Sequence, residues 1–433
     1  MHPVLEAVLA DLPGLGILAA CYGVLIAIAE TWARLGKPNP EHTRKLVHIG
    51  GGAACLFIPF LLRSGWTVLA MALSMSALFV VGRKALHSLH KVERSSRGSE
   101  YYPLAIFLVF YLARDTPAIY VSSILVLAVA DAFAALVGTR YGSIHYTVQD
   151  ESKSLEGSLA FLVVAFLAIH LPLLLMTDLP RETTVLAALL VGLLVTGFEC
   201  VALKGADNLL VPVGACLILE KVTLLPEQVL VYQNVGLVAI SAMVGVAVWQ
   251  IRSINVGGAI VVIMFGFATW SLGSILWAIP VLAGFVMYLL SWVWGPLPEE
   301  YLATARVRLI YRALTPPFAV VVIANLTGDD AFWFGPYLGM SVAVVTFSLW
   351  NHVLWTWSPA GARRYGAAVA LGGIAFVVGA LIPYFALAGD PPLLALAAIG
   401  AVALVGAVVN AWAVTVDSET ESSQLWNKRR MFL

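Results

Sequence analysis

Charge is scarce in this chain, and acidic charge is missing altogether between Val229 and Pro298. Only 12% of its 433 residues are Asp, Glu, Lys or Arg, against 61% hydrophobic. Nothing in it is long and polar enough to form a soluble domain. Basic and acidic residues balance at 25 each, so there is no electrostatic case for a nucleic-acid partner. The four cysteines (Cys21, Cys55, Cys200, Cys216) lie in apolar runs without disulfide or metal spacing, which predicts buried thiols. There is no GxxxxGK[ST], no protein-kinase signature and no HExxH. The start, MHPVLEAVLADLPG, lacks a basic n-region and an Arg- and Ser-rich transit composition, so neither a cleaved signal nor a transit peptide is expected.

What is present is a succession of apolar runs near the ~20 residues that span a bilayer core. The expected fold is an all-α polytopic membrane protein with about fifteen transmembrane helices. They fall near 11–30, 46–62, 65–82, 101–113, 117–139, 155–177, 184–203, 209–220, 229–249, 254–270, 272–294, 313–326, 331–357, 366–388 and 391–413. With the N-terminus outside and the C-terminus cytoplasmic, 21 of the 25 Lys and Arg face inward. Only Arg63, Arg114, Arg181 and Lys221 then lie outside. A prokaryotic cell membrane, with the chemistry facing the cytoplasm, is the expected location.

The chain divides by chemistry rather than hydropathy. Residues 1–228 repeat acidic, basic and His residues at the inner helix ends. Residues 229–433 have no carboxylate within a span, their acids lying in loops and the tail, and are expected to form a non-catalytic scaffold or lipid-groove domain.

Three inner-face clusters carry the candidate chemistry. In Arg44-Lys45-Leu46-Val47-His48, spacings of three and four bring Arg44, Lys45 and His48 to one spot on a helix. The bland alternative is a basic cytoplasmic helix end with a satisfied histidine. The second cluster opens with Asp131, a carboxylate inside an apolar run, which costs about 2.5 to 3.5 kcal/mol at a membrane centre. It offers a ligand for a divalent cation. Ala134, Gly138 and Gly142 leave room for phosphate near backbone, or equally form a small-residue packing stripe. Lys153 and the helix start at Ser154-Leu155-Glu156-Gly157 offer positive potential to phosphate oxygens. Ser154 also reads as a plain N-cap, and Glu156 as either a second metal ligand or favourable charge in a first helical turn. The third cluster is Glu199, then Asp207-Asn208; helix capping and ion pairing are its bland alternatives. Three inner-face acid positions among basic clusters favour a cation-dependent phosphate site over a proton path, which needs acids at several depths.

The string AVADAFAALVGTRYG…KSLEGS resembles the membrane-bound polyprenol kinases, the group that includes phytol, farnesol and dolichol kinases. RKLVHIGGG at Arg44–Gly52 is similar to their early basic-histidine motif, and Glu199 followed by Asp207-Asn208-Leu209-Leu210-Val211-Pro212 to their later one. Ala130 departs from the Gly often found before the Asp. The resemblance implies a kinase that phosphorylates a long isoprenoid alcohol from CTP, with UTP or ATP as other donors, and with Mg²⁺. It implies Asp131, Glu156 and Asp207 as metal ligands. Lys153, Arg44, Lys45, Gly138, Gly142, Ser154, Gly157 and Asn208 become the nucleotide site, and Glu199 or His48 the proton acceptor. The isoprenoid alcohol, the nucleotide and membrane lipids are the expected partners. Two rival readings are a CDP-lipid-forming cytidylyltransferase of the same superfamily and a lipid transporter or scaffold on the same fold. The loop ESKSLEG and the string GADNLLVP fit the kinases better than the cytidylyltransferases' SPKKTxEG. Residues after Ser253 faintly resemble the phytyl phosphate kinase family, without its acids.

Overall fold

A computed structural model of the chain describes residues 3–36, 40–81, 98–148, 151–202, 205–251, 256–291, 306–330 and 332–341. It divides into two compact units, Met1–Val235 and Gly236–Leu433. The expected spans 366–388 and 391–413 lie outside the described residues, as do the basic loop 82–97 and Lys204.

The first unit is built of α1 (Pro3–Ala10), α2 (Leu12–Leu35), α3 (Pro40–Cys55), the one-turn α4 (Ile58–Leu61), α5 (Gly65–Val81) and α6 (Gly98–Ala113). There follow α7 (Pro117–Leu125), a π-helical turn (Val126–Ala130), α8 (Asp131–Tyr141), the strands β1 (His145–Val148) and β2 (Glu151–Ser154), α9 (Leu155–Met176), α10 (Arg181–Val201) and α11 (Asp207–Val222). The start of α12 (Glu227–Ile251) completes this unit.

Among the described residues, five stretches are long and apolar enough to cross a bilayer: Leu12–Leu35, Pro117–Tyr141, Leu155–Met176, Arg181–Val201 and Glu227–Trp249. Each matches an expected span. Other expected spans correspond to shorter helices such as α5 and α6, of 17 and 16 residues. At 1.5 Å rise per residue these cover about 25 Å, a little short of a hydrocarbon core. The expected span 46–62 is broken after Cys55, and its remainder is the single turn of α4. Asp11 holds the turn between α4 and α5 in place. Its carboxylate, 2% exposed as a residue, accepts the backbone N–H of Arg63 and of Ser64, both at 2.9 Å.

One element departs from an all-helical expectation. Between α8 and α9, where a polar loop is expected, β1 and β2 pair antiparallel with His145 opposite Ser154 and Tyr146 opposite Lys153. The sequence HYTVQDESKS lacks a clear alternation of apolar and polar positions, so period alone does not reveal the hairpin.

In the second unit α13 (Val256–Leu272) packs on α14 (Ile275–Ser291) and on α15 (Arg306–Thr327). Its core centres on Trp277, Val321, Phe334, Tyr337 and Leu338. Tyr337 donates its hydroxyl to the Trp277 carbonyl at 2.6 Å, which satisfies a group that is costly to bury unpaired.

Candidate active site

The site begins with an irregularity in a helix. Pro117–Tyr141 is a continuous helical stretch whose middle turn, Val126–Ala130, is π-helical. The extra residue in that turn rotates everything after it, and Asp131 is the first residue to benefit. Insertions of this kind recur at functional sites because they re-aim one side chain without breaking the helix. VLAVA reads as ordinary apolar helix, so nothing in the sequence betrays the turn.

α3 lies directly against this turn. A Cβ on Gly52 would come within 2.2 Å of the Ala128 Cβ, so only glycine permits the approach. One and two turns earlier, the same helix face presents His48 and Lys45. Lys45 Nζ donates to Asp131 Oδ2 at 2.6 Å and to the Asp131 carbonyl at 3.2 Å. His48 Nε2 is 2.9 Å from the Leu127 carbonyl and 3.3 Å from Asp131 Oδ2. Both neighbours are acceptors, so Nε2 carries the ring proton. That arrangement makes His48 a donor that orients Asp131, and leaves Nε2 unable to take a proton from substrate. Tyr102 fixes the imidazole from the side, with ring centroids 4.9 Å apart, and donates to the His48 carbonyl at 3.3 Å. Sequence reasoning missed Tyr102, which carries no local signal.

The hairpin positions the second pair. Lys153 on β2 donates to Glu199 Oε1 at 2.8 Å and to the Glu199 carbonyl. Burial pushes the Lys153 ammonium toward deprotonation, but the carboxylates of Glu199 and Asp207 outweigh it and hold its pKa above the usual value. Opposite Lys153, Tyr146 shares a 2.7 Å hydrogen bond with Ser158 Oγ, and burial raises its phenol pKa. Tyr146 too went unnoticed in the sequence.

Asp207 and Asn208 open α11 immediately after Gly205, whose φ of 85° suits a residue without a side chain. Asn208 is buried and lines the same cavity as Arg44 and His48. Asp207 is electrostatically linked to both pairs. Burial, then the Asp131 carboxylate, pushes its pKa up to about 6; Lys153 pulls the other way and Glu199 adds to the rise. Oδ1 of Asp207 and Oε2 of Glu199 are buried without a hydrogen-bond partner. A buried carboxylate oxygen left unpaired is costly, so these two atoms ask for a cation or a donor.

Glu156 and the small residues stand elsewhere in this arrangement. The Glu156 carboxylate accepts the Ser143 hydroxyl and the backbone N–H of Ser143 and Ile144, the latter two at 3.0 and 3.2 Å. It secures the approach to the hairpin. Gly138 and Gly157 form a helix crossing: a Cβ on Gly157 would meet the Ala134 carbonyl oxygen at 2.9 Å and Gly138 Cα at 3.2 Å. Ser154 caps α9 by accepting the Gly157 N–H at 3.1 Å, and its Oγ fills the space beside Gly138 and Gly142. Among the described residues no three His, Cys, Asp or Glu converge as a ready-made metal cage. That is compatible with Mg²⁺, which takes one or two carboxylates and completes its shell with substrate phosphates and water.

Taken together, the geometry provides two lysine–carboxylate pairs, each with one buried partner and one partly buried, a third carboxylate linked to both, and two unpartnered carboxylate oxygens. This inventory suits a highly charged substrate that arrives with a cation. The chain is similar to the phytol kinase of the cyanobacterium Synechocystis sp. (strain ATCC 27184 / PCC 6803 / Kazusa): the two are 33% identical over 207 residues, 47% of this chain and 88% of that protein. No family model matches the chain, and no solved structure does.

Proposed function

This chain belongs to the phytol kinase family, kinases with an alcohol acceptor and a nucleotide phosphoryl donor, and from that premise we propose that it transfers the γ-phosphoryl group of CTP to a long-chain isoprenoid alcohol. The reaction takes place at the cytoplasmic edge of a membrane, the face to which the basic residues assign all three clusters. The alcohol oxygen attacks the γ-phosphorus, the bond to the β-phosphate oxygen breaks, and CDP leaves. Catalysis of such a transfer rests on positioning and on neutralising charge.

The observation that carries this reading is the pairing of Lys45 with Asp131 and of Lys153 with Glu199, at 2.6 and 2.8 Å, next to the unpartnered oxygens of Asp207 and Glu199. Without substrate, each lysine neutralises a carboxylate. When the nucleotide binds, Lys45, Lys153 and Arg44 turn to phosphate oxygens, and Asn208 orients them. Asp131 and Asp207 are then free to hold Mg²⁺, which when bound neutralises phosphate charge. Glu199, released by Lys153, accepts the proton of the substrate hydroxyl. His48 keeps Asp131 aimed. Glu156, as a metal ligand, would first have to leave Ser143 and Ile144, so Asp131 and Asp207 are the stronger pair. Residues 229–433 serve as scaffold or lipid-groove wall.

Purified protein in proteoliposomes, given CTP, Mg²⁺ and phytol, farnesol or longer polyprenols, tests the proposal. The expected product is the alcohol monophosphate with one CDP per turnover. Release of pyrophosphate would instead establish cytidylyl transfer, and no nucleotide turnover with any alcohol would establish a carrier or scaffold. Replacing CTP by UTP or ATP in the same assay ranks the donors.

A further inference from the structure

A two-stranded hairpin with strands of four residues is marginal by itself, so β1 and β2 take their position from what they are fastened to. The base is fastened beside α9: the Leu155 N–H donates to the Ile144 carbonyl at 2.9 Å, and the Glu156 carboxylate holds Ser143 and Ile144. Beyond the base the two faces separate. His145, Thr147 and Ser152 are exposed, whereas Val148 is completely buried and Tyr146 and Lys153 reach into the protein.

Tyr146 and Lys153 are direct cross-strand neighbours, and each grips a different helix. Lys153 is held by the Glu199 carboxylate of α10 at 2.8 Å. The Tyr146 hydroxyl shares its 2.7 Å hydrogen bond with Ser158 Oγ of α9, to which the Cys200 thiol of α10 donates at 3.5 Å. Ser158 and Cys200 are both buried, and the Tyr146 phenol lies against the thiol.

The two anchors differ in what the reaction asks of them. Lys153 has to leave Glu199 before it can reach a phosphate. The bond between Tyr146 and Ser158 joins two hydroxyls that no step consumes. A lysine on a loose strand would meet the phosphate in many geometries, at an entropic cost, whereas on a fixed strand only its own torsions move.

We infer that Tyr146 is a positioning residue: its bond to Ser158 keeps the hairpin seated while Lys153 exchanges Glu199 for the nucleotide phosphates. The inference rests on the proposed role of Lys153 and adds to it a second anchor with a named partner.

Cys200 makes the seat measurable. Cys21 is exposed and the other three cysteines are buried, so in a Cys21→Ser protein alkylation of Cys200 by N-ethylmaleimide, located by mass spectrometry, reports on its cover. Without nucleotide, Tyr146→Phe and Lys153→Met each leave one anchor and should speed Cys200 labelling by less than about threefold; together they should speed it by about tenfold or more. Ser158→Ala should match Tyr146→Phe and add nothing to it. Mg²⁺ with CTP should act like Lys153→Met, exposing Cys200 in Tyr146→Phe and leaving it covered in the Cys21→Ser parent. In turnover, Tyr146→Phe should raise the KM for CTP by about tenfold with kcat and the alcohol KM little changed, the pattern of a contact made equally in ground and transition states. Thr147→Val, on the outward face, should change none of these.

A Tyr146→Phe protein with a lower melting temperature but unaltered labelling and CTP KM would overturn the inference and leave the kinase standing. So would exposure of Cys200 by Mg²⁺ and CTP in the parent, because the hairpin would then lift as a whole. No turnover of any alcohol, with the labelling pattern of Tyr146→Phe and Lys153→Met as expected, would overturn the kinase and leave the two-anchor seat standing.

Discussion

The two units solve the problem of burying polar groups in opposite ways. The first buries Lys45, Glu199 and Asn208, and places Asp131 against Lys45 and His48. The second, among its described residues, buries a core of Trp277, Phe334 and Tyr337 in which the tyrosine hydroxyl is satisfied by a backbone carbonyl. A buried ion pair seldom stabilises a fold more than apolar residues of the same volume would, because desolvation offsets the attraction. A protein that keeps two such pairs and leaves carboxylate oxygens unpartnered beside them bears that cost for something other than folding. The described aromatic core of the second unit has no such burden, the difference expected if the first unit carries the chemistry we propose and the second supports it.

The largest effect that would break this comparison lies at Asp131. Asp131→Asn should lower kcat for alcohol phosphorylation by about a thousandfold, the scale seen when a preorganised charged group is lost from a reaction centre. The substitution also leaves Lys45 buried without its partner, at a cost of about 3–5 kcal/mol. Asp131→Asn combined with Lys45→Met should therefore recover the melting temperature and none of the activity. Recovery of activity along with stability would mean that the pair is structural.

Next in size is a substitution in the other unit. Trp277 is 1% exposed and packs against Phe334 and Tyr337, with ring centroids 5.2 and 4.7 Å away. Trp277→Ala should cost about 3–5 kcal/mol of stability. Turnover per folded molecule should be unchanged, measured on the fraction that survives a heat step. A proportional loss of kcat in correctly folded protein would draw the second unit into the chemistry and end the division.

What the sequence made legible follows from the range of each signal. Lys45 and His48 are three residues apart on one helix, so their convergence could be read locally, and both now touch Asp131. Asp131 stood out because a carboxylate in an apolar run is expensive. The pairing of Lys153 with Glu199 could not be read, since 46 residues separate them and the β-hairpin that joins them was expected to be a polar loop. Glu156 was readable as charge in a first helical turn. That it reaches back to Ser143 and Ile144 depends on the hairpin and was hidden with it. The glycines carried two meanings from the start, phosphate room or helix packing, and the crossing of α8 on α9 uses Gly138 and Gly157 for packing. Five of the expected helix positions, those that match long apolar stretches among the described residues, were clear from apolar runs. Helix lengths were not: the helix expected over 46–62 ends at Cys55, and the turn that follows its last fragment is held by Asp11, more than fifty residues earlier in the chain.

The smallest predicted effect tests whether Asp207 belongs with the buried charges of the first unit or merely starts a helix. Its pKa is raised from the ordinary 3.8 to about 6, by burial and by the nearby carboxylates. A carboxyl that binds its proton more tightly when folded adds stability that is full below pH 3.8 and disappears as pH rises through 6. Without Mg²⁺ and nucleotide, the melting temperature of the protein should therefore rise relative to that of Asp207→Asn as pH is lowered from 7.5 to about 5. Mg²⁺ binding has the opposite slope, because a metal ligand must shed its proton. Affinity should fall by nearly tenfold for each pH unit below about 6, with one proton released per ion bound. Isothermal titration in two buffers of different ionisation enthalpy measures both quantities. In Asp207→Asn both pH dependences should flatten. A helix-starting aspartate with no part in cation binding would leave Mg²⁺ affinity the same in the two proteins, even if it changed the melting curve.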